Sequence, residues 1–176
     1  MSNEILKAIK ERRSIKEYKP DMVPAELIDQ IIEAGLYAAS GRNQQAAIIV
    51  AVTNKELRDK LSEVNAKIGG FPEGMDPFYG APVVLIVLRD KNWPTSIYDG
   101  SLVMGNLMLA AHSLGLGSRW IHRAKEEFEM PEYQALLKEL GVEGEYEGVG
   151  HCVIGYMCGE YPQTPERLPN RVYYIK

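Results

Sequence analysis

The stretch from Ser96 to Ile121 limits what this chain can become more than any other. It reads Ser-Ile-Tyr-Asp-Gly-Ser-Leu-Val-Met-Gly-Asn-Leu-Met-Leu-Ala-Ala-His-Ser-Leu-Gly-Leu-Gly-Ser-Arg-Trp-Ile. Between Leu102 and Leu114 apolar side chains cover most of a helix circumference, and Asn106, His112 and Ser113 interrupt them. A helix apolar on nearly every side belongs at the centre of a domain or in a subunit interface. The run is too short to cross a bilayer, which takes roughly 20 apolar residues. Gly115 and Gly117 are placed to end the helix, because glycine accepts the left-handed conformation common there. Arg119-Trp120-Ile121-His122 then favours a strand. A buried helix feeding a short strand is a place to look for chemistry.

The rest of the chain gives that helix a setting. Its 176 residues suit one domain, 1–176, large enough for a core. Twenty basic against twenty-four acidic residues leave a net charge of −4 without a long run of either sign. That balance argues against nucleic acid or an anionic membrane as partner. The opening Met-Ser-Asn-Glu-Ile-Leu-Lys lacks the apolar core of a signal peptide. The two cysteines, Cys152 and Cys158, lack CxxC spacing. Reduced thiols and a cytoplasmic location are the expectation.

Periodicity supplies further elements. Ile5, Leu6 and Ile9 lie on one side of a helix over 3–12 that Asn3 caps. An extended segment follows before Pro20. A second helix opens at Pro24 and buries Leu27, Ile28, Ile31 and Ile32. Ala47 to Val52 reads as a strand, and Thr53 with Glu56 as the capping box of a third helix. Residues 69–82, rich in glycine and proline, form a long loop. Val83 to Leu88 and Val149 to Met157 are further strands, and Pro131 to Leu140 is a short helix closed by Gly141. The ending Arg171-Val172-Tyr173-Tyr174-Ile175 has strand composition but no hairpin partner before it. It is expected to reach a sheet in its own subunit or in a neighbour.

Common catalytic patterns are missing. His112, His122 and His151 have no metal-ligand spacing, there is no Walker sequence or G-x-S-x-G, and Gly115-x-Gly117 follows a helix rather than a strand. What remains is a set of small polar clusters. Arg12, Arg13 and Ser14 place two guanidinium forks beside a hydroxyl, a combination suited to phosphate oxygens. Basic residues at a helix C-terminus also complement its dipole, and residue type alone leaves both readings open. Ser40-Gly41-Arg42-Asn43-Gln44-Gln45 offers amides to a polar heteroaromatic ring, or is a plain surface turn. Trp120 either flanks a planar ligand or fills the core.

In this order the clusters resemble the nitroreductase family of flavin enzymes. Glu11-Arg12-Arg13-Ser14-Ile15-Lys16-Glu17-Tyr18 resembles its Arg-Arg-Ser motif, and Ala39-Ser40-Gly41-Arg42-Asn43-Gln44-Gln45 its Asn-x-Gln loop. Asp76-Pro77-Phe78-Tyr79-Gly80-Ala81-Pro82 resembles the lead into its second core strand. Asn106 to Ala111, Leu114 to Ser118 and Trp120-Ile121 resemble its central helix and exit, and Ile154-Gly155-Tyr156 with the basic tail completes the likeness.

The resemblance implies an α+β fold: a mixed, mainly antiparallel sheet flanked by helices, in an intertwined homodimer. The C-terminal segment, 159–176, would extend onto the partner subunit. One flavin mononucleotide (FMN) would sit at each of two subunit interfaces. Carried over position by position, Arg12, Ser14 and Arg171 would bind phosphate and ribityl groups, with Arg13 a neighbouring contact. Lys16 would lie near the pyrimidine end of the flavin, where a cation stabilises charge gained on reduction. Ser40, Gly41, Asn43 and Gln45 would reach the flavin from the other subunit, and Asn65 would contact the ring edge. Trp120, Ile121, His122 and Arg123 would pack on the flavin face.

The implied activity is transfer of hydride from NADH or NADPH through FMN to an electron-poor small-molecule acceptor, a nitroaromatic or quinone, by a ping-pong mechanism. No side chain stands out as a general acid. Dehalogenation, enone reduction, or flavin binding with little turnover are the alternatives on the same fold. The sequence departs from the family's Pro-Trp with Ala46-Ala47, carries Arg119 before Trp120, and has a short loop where larger relatives have a lid. These changes suggest an open, permissive pocket.

Overall fold

The computed structural model describes residues 3–176. Its centre is a four-stranded sheet in the order β1-β2-β4-β3, built from β1 (Ala47–Val52), β2 (Val83–Asp90), β3 (Gly117–Ile121) and β4 (Tyr146–Gly155). All three pairings are antiparallel. A parallel bridge between Ser14 and Ser118 adds the N-terminal segment beside β3. β2 and β4 are buried on both faces, which explains why Val83 to Leu88 shows no polar alternation.

Alternation along β2 divides the core in two. Val84, Ile86 and Leu88 join Leu61, Phe78, Phe128, Tyr133 and Val153 on the face covered by α3 (Lys55–Ile68), α5 (Ala124–Phe128) and α6 (Pro131–Glu139). Val83, Leu85 and Val87 join Ile31, Met104, Leu107, Ala111 and Ile154 on the face covered by α2 (Ala25–Leu36) and α4 (Ser96–Ser113).

The apolar central helix is α4, and it begins six residues before its apolar run. Val103, Met104, Leu107 and Ala111 are buried, whereas Tyr98 is 69% and Leu102 51% exposed. The side bearing Tyr98 and Leu102 is uncovered in the single chain. The same holds for α1 (Glu4–Glu11), whose Ile5, Leu6 and Ile9 are all exposed. Asn3 caps α1 as expected, accepting from the N–H groups of Ile5 and Leu6.

Several local expectations are corrected. Asn54, not Thr53, caps α3, its Oδ1 accepting the Leu57 N–H at 2.9 Å. Gly115 ends α4 with φ of +76°. Gly117 instead opens β3, where a Cβ would lie 2.9 Å from Ile15 Cγ1. The final strand runs from Tyr146 to Gly155, three residues earlier at its start than its composition suggested. α5 went unpredicted because five residues are too few to display helical periodicity. The C-terminal residues form no strand within the chain, and Val172 to Ile175 are exposed.

The 69–82 loop is ordered around one carboxylate. Asp76 accepts from the N–H groups of Phe78 (2.8 Å) and Gly80 (2.7 Å), from Ser62 Oγ and from Arg58. Burial opposes ionisation of Asp76, but these donors outweigh it and hold the carboxyl below the usual aspartate range.

Candidate functional site

Arg12 caps the C-terminus of α1, and the chain then turns to run beside β3, with the Ile15 N–H donating to Ser118 O at 3.1 Å. This course puts Arg12, Arg13, Ser14 and Lys16 along one groove of about 810 Å³, closed opposite by Pro162 to Pro165 and Arg167. Tyr161 fastens the tail there. Its hydroxyl accepts the Arg13 N–H at 3.0 Å and donates to Glu11 O at 2.9 Å. Lys10 and Arg119 also line the groove, and no carboxylate does.

Both readings of the arginine pair find support. Arg13 Nη1 donates to the carbonyls of Lys10 (2.7 Å) and Arg12 (2.6 Å), satisfying the end of α1. Arg12 Nη1, Arg13 Nε and Arg119 Nε are buried without any hydrogen-bond partner. Leaving buried donors of charged groups unpaired is costly, so these atoms suit an anion that supplies the missing acceptors. The positive field reaches His112 at the end of α4. Burial first, then the charges of Arg12 and Arg13 against the opposing pull of Glu11, lower its pKa and favour the neutral ring.

At the far end of β3 a buried network holds the turn at His122 and Arg123. Asn65, fully buried, donates through Nδ2 to His122 O (2.9 Å) and Glu127 Oε1 (2.5 Å), and accepts from Arg123 Nε at 3.0 Å. Glu127 Oε2 lies 2.7 Å from His151 Nε2, with both side chains wholly inaccessible. Asn65, expected at a ring edge, is fully buried and bonds to the Arg123 side chain and the His122 carbonyl. Glu127 goes unnoticed in the sequence and His151 reads only as a histidine without metal-ligand spacing, since only the packing of α5 on β4 brings the two together. Among the described residues no cluster of histidine, cysteine or acidic side chains is arranged to hold a metal.

β3 sends its side chains alternately to the two faces. Trp120 packs over Gly150 on the α4 side, while Ile121 belongs to the opposite core. Arg119 stacks over the Tyr79 ring at 4.9 Å, and His122 is exposed. Burial pushes the Cys152 thiol up to about 12, which leaves it unreactive at neutral pH.

The Ser40 to Gln45 turn stands elsewhere. Gly41 N–H donates to Asp99 Oδ1 at 3.0 Å, which ties the turn to the beginning of α4. Arg42, Asn43 and Gln45 have φ of 53°, 56° and 49°. Such left-handed conformations in non-glycine residues gather at functional sites. His112, near the groove, follows Asp99 by thirteen positions on α4, so the turn and the groove are roughly 20 Å apart. Within one chain the expected contacts thus form two sets, Arg12 to Lys16 with the end of β3, and Ser40, Gly41, Asn43 and Gln45 at the other end of α4. Arg171 belongs to neither, being exposed further along the tail, and Arg167 is the tail arginine in the groove.

Comparison with known proteins identifies the family and the fold. The chain matches the Nitroreductase family over residues 9–69 and 73–156. It is 31% identical to the FMN reductase [NAD(P)H] of Bacillus subtilis over 160 residues, covering 74% of this chain and 61% of that protein. The chain spans about three fifths of the length of the first sequence relatives it matches. Among solved structures, a nitroreductase with bound FMN from Bacteroides fragilis superposes with a TM-score of 0.87 at 29% identity, covering 99% of this chain and 100% of that one. An FMN-bound nitroreductase from Desulfitobacterium hafniense gives 0.86 at 27% identity, with full coverage of both. With its fold and the order of its motifs both matched, the chain belongs to the nitroreductase family.

Proposed function

We propose that this protein is an FMN-dependent NAD(P)H oxidoreductase that passes hydride to an electron-poor small molecule, with each flavin site completed by a second copy of the chain. The observation that carries the reading is the set of three unpartnered buried guanidinium nitrogens, Arg12 Nη1, Arg13 Nε and Arg119 Nε, in a groove without carboxylates. Arg12, Ser14, Arg119 and the tail would hold the flavin phosphate and ribityl chain. Lys16 would place its charge toward the pyrimidine end, and the His122–Arg123 turn would meet the ring. When bound, FMN supplies the hydride chemistry, accepting from a nicotinamide and delivering to an acceptor. Asn65, Glu127 and His151 keep the turn rigid, which favours orientation over proton transfer as the protein's contribution. The kinetic order we propose is ping-pong.

A second chain follows from the separation along α4. Ser40, Gly41, Asn43 and Gln45 are too far from Arg12 to serve the same ligand in one protomer, but a two-fold axis would bring one chain's turn to its partner's groove. The uncovered apolar faces of α1 and α4 suit that contact, and the tail's Val172 to Ile175 would lie on the partner's surface. A visible spectrum of the purified protein, recorded before and after anaerobic addition of NADH or NADPH, tests the function. Flavin absorption that bleaches with a donor supports it, and a colourless protein that takes up no added FMN refutes it.

A further inference from the structure

Arg123 carries a guanidinium fixed in direction and left open at its outer edge. Its Nε donates to Asn65 Oδ1 at 3.0 Å, and Asn65 is itself immobilised by His122 O and Glu127. Its Cζ lies 4.9 Å from the centre of the Phe71 ring. Gly69 makes room for this packing, since a Cβ there would approach Phe71 Cε2 to 2.7 Å and Arg123 Cζ to 3.2 Å. The Arg123 backbone is left-handed, with φ of +78°, a conformation a long side chain adopts only where its surroundings impose it. Among the described residues no acceptor reaches either Nη atom, and no carboxylate pairs with the group.

A guanidinium held from behind through Nε and on one face by an aromatic ring presents its two Nη donors as a fork, and two oxygens of a carboxylate or phosphate match that fork. Flavin phosphate is not its natural occupant, because the basic groove lies at the other end of β3. The family match runs over 9–69 and 73–156, so Phe71 falls in the three residues it omits. The Phe71 side of the clamp therefore lies outside the matched segments, whereas Asn65 and Arg123 lie within them.

We propose that Arg123, clamped by Phe71 and Asn65, is a specificity residue that receives an oxyanion of a substrate, either the carboxylate of an acidic acceptor or the 2′-phosphate of NADPH. Of the two, the acceptor carboxylate fits better. Arg123 adjoins the turn assigned to the ring, so the oxyanion would sit on the molecule stacked there, whereas the 2′-phosphate is remote from the nicotinamide. The inference rests on the flavin reading above.

The test uses the full-length, FMN-loaded protein in its oxidised state, where binding is read from perturbation of the flavin spectrum without turnover. Affinities of 4-nitrobenzoate and 4-nitrobenzamide are compared, and separately those of NADP⁺ and NAD⁺, in wild type, Arg123→Met, Arg123→Lys and Phe71→Leu. Loss of a charge-assisted pair should lower the preference for acid over amide about tenfold in Arg123→Met. Arg123→Lys, which keeps charge without the fork, and Phe71→Leu, which frees the side chain, should fall between. A changed NADP⁺ to NAD⁺ ratio with an unchanged acid to amide ratio would place the donor's phosphate on Arg123. If neither ratio moves in flavin-loaded Arg123→Met and Phe71→Leu, the proposal is overturned while the flavin reading stands. If the wild type takes up no FMN, it is the flavin reading that fails.

Discussion

The N–H of Gly41 donates to the Asp99 carboxylate at 3.0 Å, across 58 positions of sequence. This bond fixes the Ser40–Gln45 turn to the first turns of α4, and Asp99 is 96% buried in making it. Removing the acceptor leaves a partly buried N–H unpaired, at a cost of about 1–3 kcal/mol. Asp99→Ala should therefore unfold at lower denaturant concentration than wild type and bind FMN more weakly. Equilibrium denaturation and a flavin-fluorescence titration measure the two effects.

Arg12 should matter to the ligand far more than to the fold. Its Nη1 has no protein partner, so truncation removes little internal bonding. Arg12→Ala is expected to weaken FMN binding at least about tenfold, the scale of one charge-assisted hydrogen bond, with little change in melting temperature. Equal affinity in variant and wild type would argue against phosphate at this position.

Asp76 gives a prediction in pH. Its donors hold its pKa below the ordinary aspartate value of about 3.9. A group depressed in the folded state stabilises the fold above its unfolded pKa, and this contribution disappears as pH falls through the folded pKa. Asp76→Asn should thus be less stable than wild type at neutral pH, by about 1–3 kcal/mol. The gap should narrow below about pH 4. Denaturation curves for both proteins at several pH values check this.

The Glu127–His151 pair lies where neither partner meets water. Removing one partner of a buried hydrogen bond costs about 1–3 kcal/mol, because the remaining group stays unpaired. Glu127→Ala should show a loss of that order in chemical denaturation. Glu127→Gln, which keeps an acceptor for Asn65, should lose less.

What could be read in the sequence divides along physical lines. β1 and β2 were recognisable because continuous apolar runs of strand length have few other uses, and α2 because its buried residues repeat at helical spacing. The Arg12 to Lys16 cluster was visible because its residues adjoin in sequence. The roles of Glu127 and Phe71 and the partner of His151 could not be read because the groups they meet come from distant elements, and no spacing rule links Asn65 to Glu127 or Phe71 to Arg123. Asn54 was passed over for Thr53 because both side chains cap helices, and only the geometry of the turn chooses between them. Arg167 and Arg171 lie four positions apart in the same tail, and the fastening of Tyr161 decides which one enters the groove.

The central claim is that one chain's Arg12 groove and another chain's Ser40–Gln45 turn form a single flavin site. Arg12→Ala and Gly41→Val, whose new side chain would strike Thr95 Oγ1 where a Cβ alone comes within 2.3 Å, should each impair FMN binding when purified separately. Unfolded together and refolded as a mixture, the two variants would form hybrid dimers with one wholly wild-type site, about a quarter of all sites in a random mixture. The account predicts that this quarter recovers wild-type FMN affinity in a titration of the mixture. A mixture of confirmed hybrid dimers that binds no better than its separate components would contradict it.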